Sequence, residues 1–145
     1  MARTIRKVIA YITQGRRLLV FSHPYAPEAG VQTPGGTLLL GEALEAGALR
    51  EAREETGLDA LQVVAFLGMR VFDCRPHGRD ELHLRHFYHL KCLQPTPERW
   101  RHDEMDPSDG SPGPIPLEFY WVVWPDDAPE LAGEQGAFLG MLDIA

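Results

Sequence analysis

"GGTLLLGEALEAGALREAREETGL", residues 35–58, opens on a glycine pair and then carries Glu42, Glu45, Glu51, Glu54 and Glu55. From about Ala43 to Thr56 the composition is Ala, Leu, Glu and Arg, all good helix formers, and Gly57 is a natural stop. The stretch therefore predicts a helix over 43–56. At about 100° per residue, with Glu51 at zero, Glu54 falls at about −60° and Glu55 at about +40°. Leu44, Ala48 and Ala52 fall at about 20°, 60° and 100°, and Gly47 at about −40°. An ordinary amphipathic helix sets its glutamates opposite the apolar stripe. Here the two stripes overlap, and three carboxylates are expected where the helix meets the rest of the fold.

Carboxylates crowded at such an edge repel each other and lose hydration. Protonation relieves this, and so does a hard divalent cation. Magnesium prefers oxygen ligands and binds through a few carboxylates together with substrate phosphates. The competing reading is a solvated acidic helix held by the pairs Glu42–Arg50 and Arg50–Glu54. If the repulsion is real, Glu54→Gln is expected to lower activity strongly while leaving the fold intact, or even raising its metal-free stability.

The order of residues separates the two readings. Gly36 is followed by five residues and Glu42, then by seven residues and Arg50-Glu51-Ala52-Arg53-Glu54-Glu55-Thr56-Gly57-Leu58. This resembles the Nudix box, G-x5-E-x7-R-E-U-x-E-E-x-G-U, with U a bulky apolar residue. Every fixed letter matches, and Ala52 at the first U position is the one departure. The resemblance implies an α/β fold, a Nudix-like α/β/α sandwich with a mixed β-sheet, the box helix and a C-terminal helix. It implies a hydrolase for nucleoside diphosphates linked to another moiety, with Mg2+ or Mn2+ as cofactor. It also implies that Glu51, Glu54 and Glu55 are metal ligands, joined by the backbone carbonyl of Gly35 or Gly36. Glu42 resembles the acid that pairs with Arg50, and Arg50 the residue that orients Glu51. The acid that takes the proton from water differs between members and stays open.

Chemistry supports those roles. A pyrophosphate repels an incoming hydroxide, and metal ions neutralise its charge and lower the pKa of a bound water. A carboxylate then removes the remaining proton. Adjacent glycines let the backbone approach such ions closely.

Outward from the box, IRKVIAYI (5–12) and RRLLVFSH (16–23) read as strands around the Gln14-Gly15 turn. Residues 24–30 read as a loop, TLLL (37–40) as a short strand, and LQVVAFLGMRVF (61–72) as a long strand bent at Gly68. LHLRHFYHLKC (82–92) and LEFYWVVW (117–124) read as strands, and a final helix is expected from Asp126 or Asp127 through GEQGAFLGML. Between the last strands lies a Pro-rich stretch, 93–116, which reads as one long loop, functional or disordered. The order suits α/β or α+β with a mixed sheet, and 145 residues suit a single domain over 1–145.

Composition bounds the partners. Hydrophobic residues make up 44% and charged residues 24%, a globular balance, and no apolar run is long enough to span a membrane. The net charge of −7 argues against nonspecific grip on a nucleic-acid backbone, and leaves a small phosphorylated nucleotide open if metal supplies positive charge. The N-terminus reads as a strand and not a signal peptide; Cys74 and Cys92 could form a disulfide, but lone thiols of a cytoplasmic chain are the favoured reading. A homodimer is an open expectation.

Outside the box, Glu104 and Glu118 are the candidates for a further acid, with Glu104 favoured. His83, His86 and His89 are three apart, but alternation on a strand separates His86 from the others, which disfavours a zinc set. Arg3, Arg6, Arg16 and Arg17 read mainly as surface charge. Tyr25, Phe87, Trp100, Tyr120 and Trp121 can stack on a base, yet strand aromatics more often fill cores. Specificity is expected in 23–34 and 93–116. The competing function is a Nudix-fold binding or regulatory domain without turnover, which the complete set of box acids disfavours.

Overall fold

The computed structural model describes residues 1–105 and 112–144 of the chain. Its strands are β1 (Arg3–Gln14), β2 (Arg17–Ser22), β3 (Gly35–Thr37), β4 (Leu61–Asp73), β5 (Glu81–Cys92), β6 (Arg99–Glu104) and β7 (Ile115–Val123), with one α-helix, α1 (Leu44–Thr56). They form one sheet in the order β4-β5-β1-β2-β7-β6, with β3 paired to β1. β1 and β5 run parallel and the other pairs antiparallel, so the sheet is mixed.

β1 is central, which explains its unbroken apolar run Val8–Ile12. Val8, Ala10 and Ile12 face one cluster with Ala48 and Ala52 of α1, while Ile9 and Tyr11 face another with Leu131 and Leu139. The helix covers one side of the sheet and the C-terminal segment covers the other.

That segment departs from expectation. The helix predicted from Asp126 or Asp127 is absent among the described residues, and two 3-10 turns, Ala132–Glu134 and Leu139–Met141, stand in its place. Gly133 and Glu134 adopt left-handed φ of 59° and 61°, and Gly136 and Gly140 further weaken helix propensity. The apolar side chains of the segment still dock, with the Phe138 ring 4.7 Å from that of Phe87.

Two further expectations are corrected. The short strand comprises Gly35–Thr37, not 37–40, because its pairing with β1 ends at Lys7↔Thr37. Leu39 and Leu40 then project into solvent before the turn at Gly41. The stretch 93–116 is not one loop, since β6 pairs with β7 from Arg99↔Tyr120 to Glu104↔Ile115. Trp100 anchors it by stacking on Phe119 with centroids 5.5 Å apart, while Arg99, Arg101 and Asp103 face out, as suits an edge strand. The expected bend at Gly68 coincides with a register shift between Phe66 and Gly68.

β1 and β2 stay paired only at Thr13↔Leu18 and Gln14↔Arg17. Beyond that hairpin end β2 follows β7 while β1 takes β3, with Ala10 N–H bonded to the Pro34 carbonyl at 2.8 Å. The strands splay, and a cleft opens between them. No helix of the described residues is long and apolar enough to cross a membrane. Cys74 and Cys92 are buried free thiols.

Candidate active site

The last turns of α1 point at β3. The helix ends on Gly57, whose φ of 78° lets its N–H close on the Arg53 carbonyl at 2.9 Å. Two turns earlier, Arg50 gathers the acids. It binds Glu42 through Nε at 2.7 Å and Nη2 at 2.9 Å, and donates from Nη1 to Glu51 at 2.9 Å and to Glu54 at 3.1 Å. A fourth partner, the Thr37 carbonyl at 3.1 Å, ties the guanidinium to β3. The Glu42–Arg50 and Arg50–Glu54 pairs are both present, and so is the Glu42–Arg50–Glu51 relay. Hydrogen bonds from Arg50, then from the Leu39 N–H, hold Glu42 down at about 2.

The three helix acids are not equivalent. The Glu54 side chain is 61% exposed and lies on the solvent side, short of the helix-fold edge where it was expected. Glu51 is mostly covered, and burial raises its pKa against the opposing pull of Arg50. Glu55 is buried at 8% exposure, and the Gly35 N–H reaches it at 3.3 Å. Burial, then the charge of Glu104, pushes Glu55 well above the usual carboxylate range.

The glycine pair makes room for this approach. A Cβ on Gly36 would run into the Glu51 carboxylate, and one on Gly35 would sit 2.5 Å from the Val8 carbonyl oxygen. β6 delivers Glu104 to the same cleft, where its charge acts on both Glu51 and Glu55. Glu118 instead sits opposite Ser22 on β7 and accepts from Arg99 at 3.3 Å. Of the two candidate outer acids, the fold brings Glu104 to the helix.

The cleft, about 340 Å³, places Glu55, Glu104, Gly35 and Gly36 together with Lys7, Arg79, His83 and Arg85. An adjoining cavity of about 600 Å³ shares Arg79, His83 and Arg85 and continues past Phe72, Cys74 and His77. The acids therefore mark one end and the cations the other. Both expected specificity stretches contribute to the lining, through His23, Gln32 and Thr33 from 23–34 and Glu104 and Ile115 from 93–116.

Other singled-out residues go elsewhere. Arg3 binds Glu81, Arg6 the Glu42 carbonyl, and Arg17 Glu98. His83, His86 and His89 take three separate partners: Glu81, the Lys7 carbonyl and Thr13. Phe87 is core, Trp100 donates to the Thr56 carbonyl, and Trp121 donates to Thr96. Tyr25 is exposed beside Arg101, and Arg99 covers Tyr120. The sequence reading missed Lys7, Arg79 and Arg85. The available signal was a cation beside the apolar run of a strand, Lys7 before VIAYI and Arg85 before the aromatic pair Phe87-Tyr88.

An open mixed sheet, one box helix and an acid-lined cleft where β1 and β2 part define a Nudix-type domain. The NUDIX domain family model matches residues 3–110, and the chain belongs to the Nudix family. Solved structures agree in fold. A MutT NUDIX hydrolase from Burkholderia pseudomallei aligns with TM-score 0.70 at 22% identity, over 97% of this chain and 99% of that one. A UDP-X diphosphatase aligns with TM-score 0.67 at 16% identity, over 97% of this chain but only 62% of its own length. An ADP-ribose pyrophosphatase from Streptococcus suis gives 0.62 at 16% identity, over 94% and 87%. No curated protein sequence matches the chain.

Proposed function

We propose that the chain is a pyrophosphohydrolase that cleaves a nucleoside diphosphate linked to another moiety. The observation that carries this is the burial of Glu55 beside Glu51 and Glu104, with one N–H from Gly35 and the Arg50 guanidinium as the donors that reach the two helix acids. Such a group is costly when ionised and suits a hard divalent cation. Its donors are all oxygens, which favours magnesium or manganese over zinc. The names of the diphosphatase and pyrophosphatase among the structural neighbours support the substrate class.

Glu51, Glu54, Glu55 and the Gly35 carbonyl are the groups that would hold the ion. When bound, the ion neutralises pyrophosphate charge and acidifies a coordinated water. Arg50, clamped by both oxygens of Glu42, fixes the rotamer of Glu51. Glu104 stands across from Glu55 and takes the proton as water attacks phosphorus; the bridging P–O bond breaks and its electrons leave with the second phosphate. Placement in the cytoplasm and homodimerisation complete the proposal. β4 offers a dimer surface as a sheet edge with Val64, Phe66, Met69 and Val71 about half exposed. Sedimentation would test the dimer.

The deciding experiment is a metal-supplemented screen of nucleoside triphosphates, nucleotide sugars, dinucleoside polyphosphates and coenzyme A, with products identified by mass. Turnover that disappears in excess chelator is expected. Turnover undiminished by chelator would overturn the metal mechanism, and binding without turnover on every substrate would make the chain a binding domain.

A further inference from the structure

At the cationic end of the cleft, the charges of Glu81 and Glu51 act on Lys7, yet its described hydrogen bond goes to neither of them. Lys7 is only 9% exposed, and its Nζ donates to the Thr37 hydroxyl at 2.7 Å. The parallel register Lys7↔Arg85 sets the two cations side by side on one face of the sheet. Arg85 lies 3.9 Å over the Phe72 ring and donates to the Gly133 carbonyl. Their hydrogen bonds thus go to a hydroxyl and a carbonyl, not to carboxylates. Burial, then the charge of Arg79, lowers the pKa of Lys7. Two adjacent cations, one nearly buried and the other half-buried, repel each other and lose water unless an anion joins them.

Arg79 is held toward the same space. Glu81 accepts from Arg79 at 3.2 and 3.3 Å, from Arg3 at 3.1 Å and from the His83 ring at 3.0 Å. Cys74, Glu81 and His83 bring their ligand atoms within 4.8 Å of one another, as a metal site would. Both Glu81 oxygens are already taken, however, and Arg79, Arg85 and Lys7 surround the group. A cation there would have to displace Arg3 and Arg79 from Glu81 and break the Glu81–His83 hydrogen bond. The arrangement instead positions Arg79.

We propose that Lys7, Arg79 and Arg85 form a subsite for a phosphomonoester carried by the substrate in addition to the pyrophosphate that is cleaved. A phosphate inside a pyrophosphate bridge carries one negative charge, which the three cations exceed even with Glu81 offsetting one of them. A phosphomonoester carries about 1.5 to 2 at pH 7 and offers three acceptor oxygens, a better match for an ammonium and two guanidinium forks. The inference rests on the pyrophosphohydrolase reading and names its preferred substrates: those with a phosphate at the chain end or on the far moiety.

Two matched pairs separate those sources. A nucleoside triphosphate against its diphosphate probes the chain end, and coenzyme A against its dephospho form probes the moiety. The member with the extra phosphate is expected to win one pair by about tenfold or more in kcat/KM, expressed in KM. Arg79→Gln and Arg85→Gln should each erase most of that preference with little change in kcat. In excess chelator, calorimetry with inorganic tripolyphosphate should show binding that either variant weakens by about tenfold. Arg79 is partly exposed and Glu81 keeps Arg3 and His83, so its variant should still fold and remains informative if Arg85→Gln misfolds. No preference in either pair, or a preference and an anion affinity that Arg79→Gln leaves intact, would overturn the subsite. Arg79-dependent tripolyphosphate binding without turnover on any substrate would instead overturn the hydrolase reading and keep the anion site.

Discussion

Burial strips water from Glu55, and the Gly35 N–H returns a single hydrogen bond of 3.3 Å. The folded carboxyl therefore holds its proton to a higher pH than the unfolded one. Between the ordinary glutamate value of about 4.3 and the raised folded value, the folded state binds more protons, so stability falls as pH rises. The destabilisation is complete above the folded value. Glu55→Gln should remove it, raising the metal-free Tm by roughly 2–5 °C at pH 8 while abolishing activity. The gap between variant and wild type should shrink toward pH 4.5; a variant that melts below wild type at pH 8 would make the Gly35–Glu55 bond structural. The sequence pointed to Glu54 for this relief, but its side chain is 61% exposed and paired with Arg50. Glu54→Gln should leave the metal-free Tm within about 1 °C. Gly36→Ala is a different case. Its methyl must push the flexible Glu51 carboxylate aside, off the Arg50 Nη1. A loss of about a hundredfold in kcat is expected with the fold retained by circular dichroism, and full activity would show that Glu51 works from another rotamer.

β6 is the element that the Pro-rich composition of 93–116 concealed. Its alternating charges, RWRHDE, carry little strand propensity, and the pairing depends on Trp100 meeting Phe119 across the ladder. That register also decides which outer acid reaches the helix, since it ends at Glu104↔Ile115 beside the cleft. Glu104→Gln should lower kcat by about 10² or more with KM little changed. Glu118→Gln should only loosen Arg99 at the surface and leave kcat within about threefold. Reversed effects in steady-state kinetics would move the second acid to β7. α1, in contrast, was legible to within a residue, because Ala, Leu, Glu and Arg favour helix locally and Gly57 supplies the left-handed stop.

At the scale of the molecule, the cleft exists because β1 and β2 part after two paired residues, and the end of β6 and the start of β7 reach its lining. Residues 106–111 lie outside the described residues, while Glu104 and Ile115 on either side line the cleft. Replacing 106–114 by a short Gly/Ser linker should reorder the substrate ranking and raise KM more than it lowers kcat. An unchanged ranking would make the stretch a passive connection.

The sequence alone determined the box helix, the glycine pair, the Glu42–Arg50–Glu51 order and the first apolar strand, since each follows from local propensity or from spacing along one element. Only the tertiary structure decided that Glu55 is buried and Glu54 is not, that Glu104 and not Glu118 stands at the cleft, and that the C-terminal segment covers the sheet without an α-helix. It also decided that Lys7 and Arg85, 78 residues apart by number, lie side by side through the β1–β5 register. The reason is physical: burial, charge pairing and strand register are set by contacts between distant segments, and a pattern with period 2 or 3.6 carries no information about which segment lies opposite.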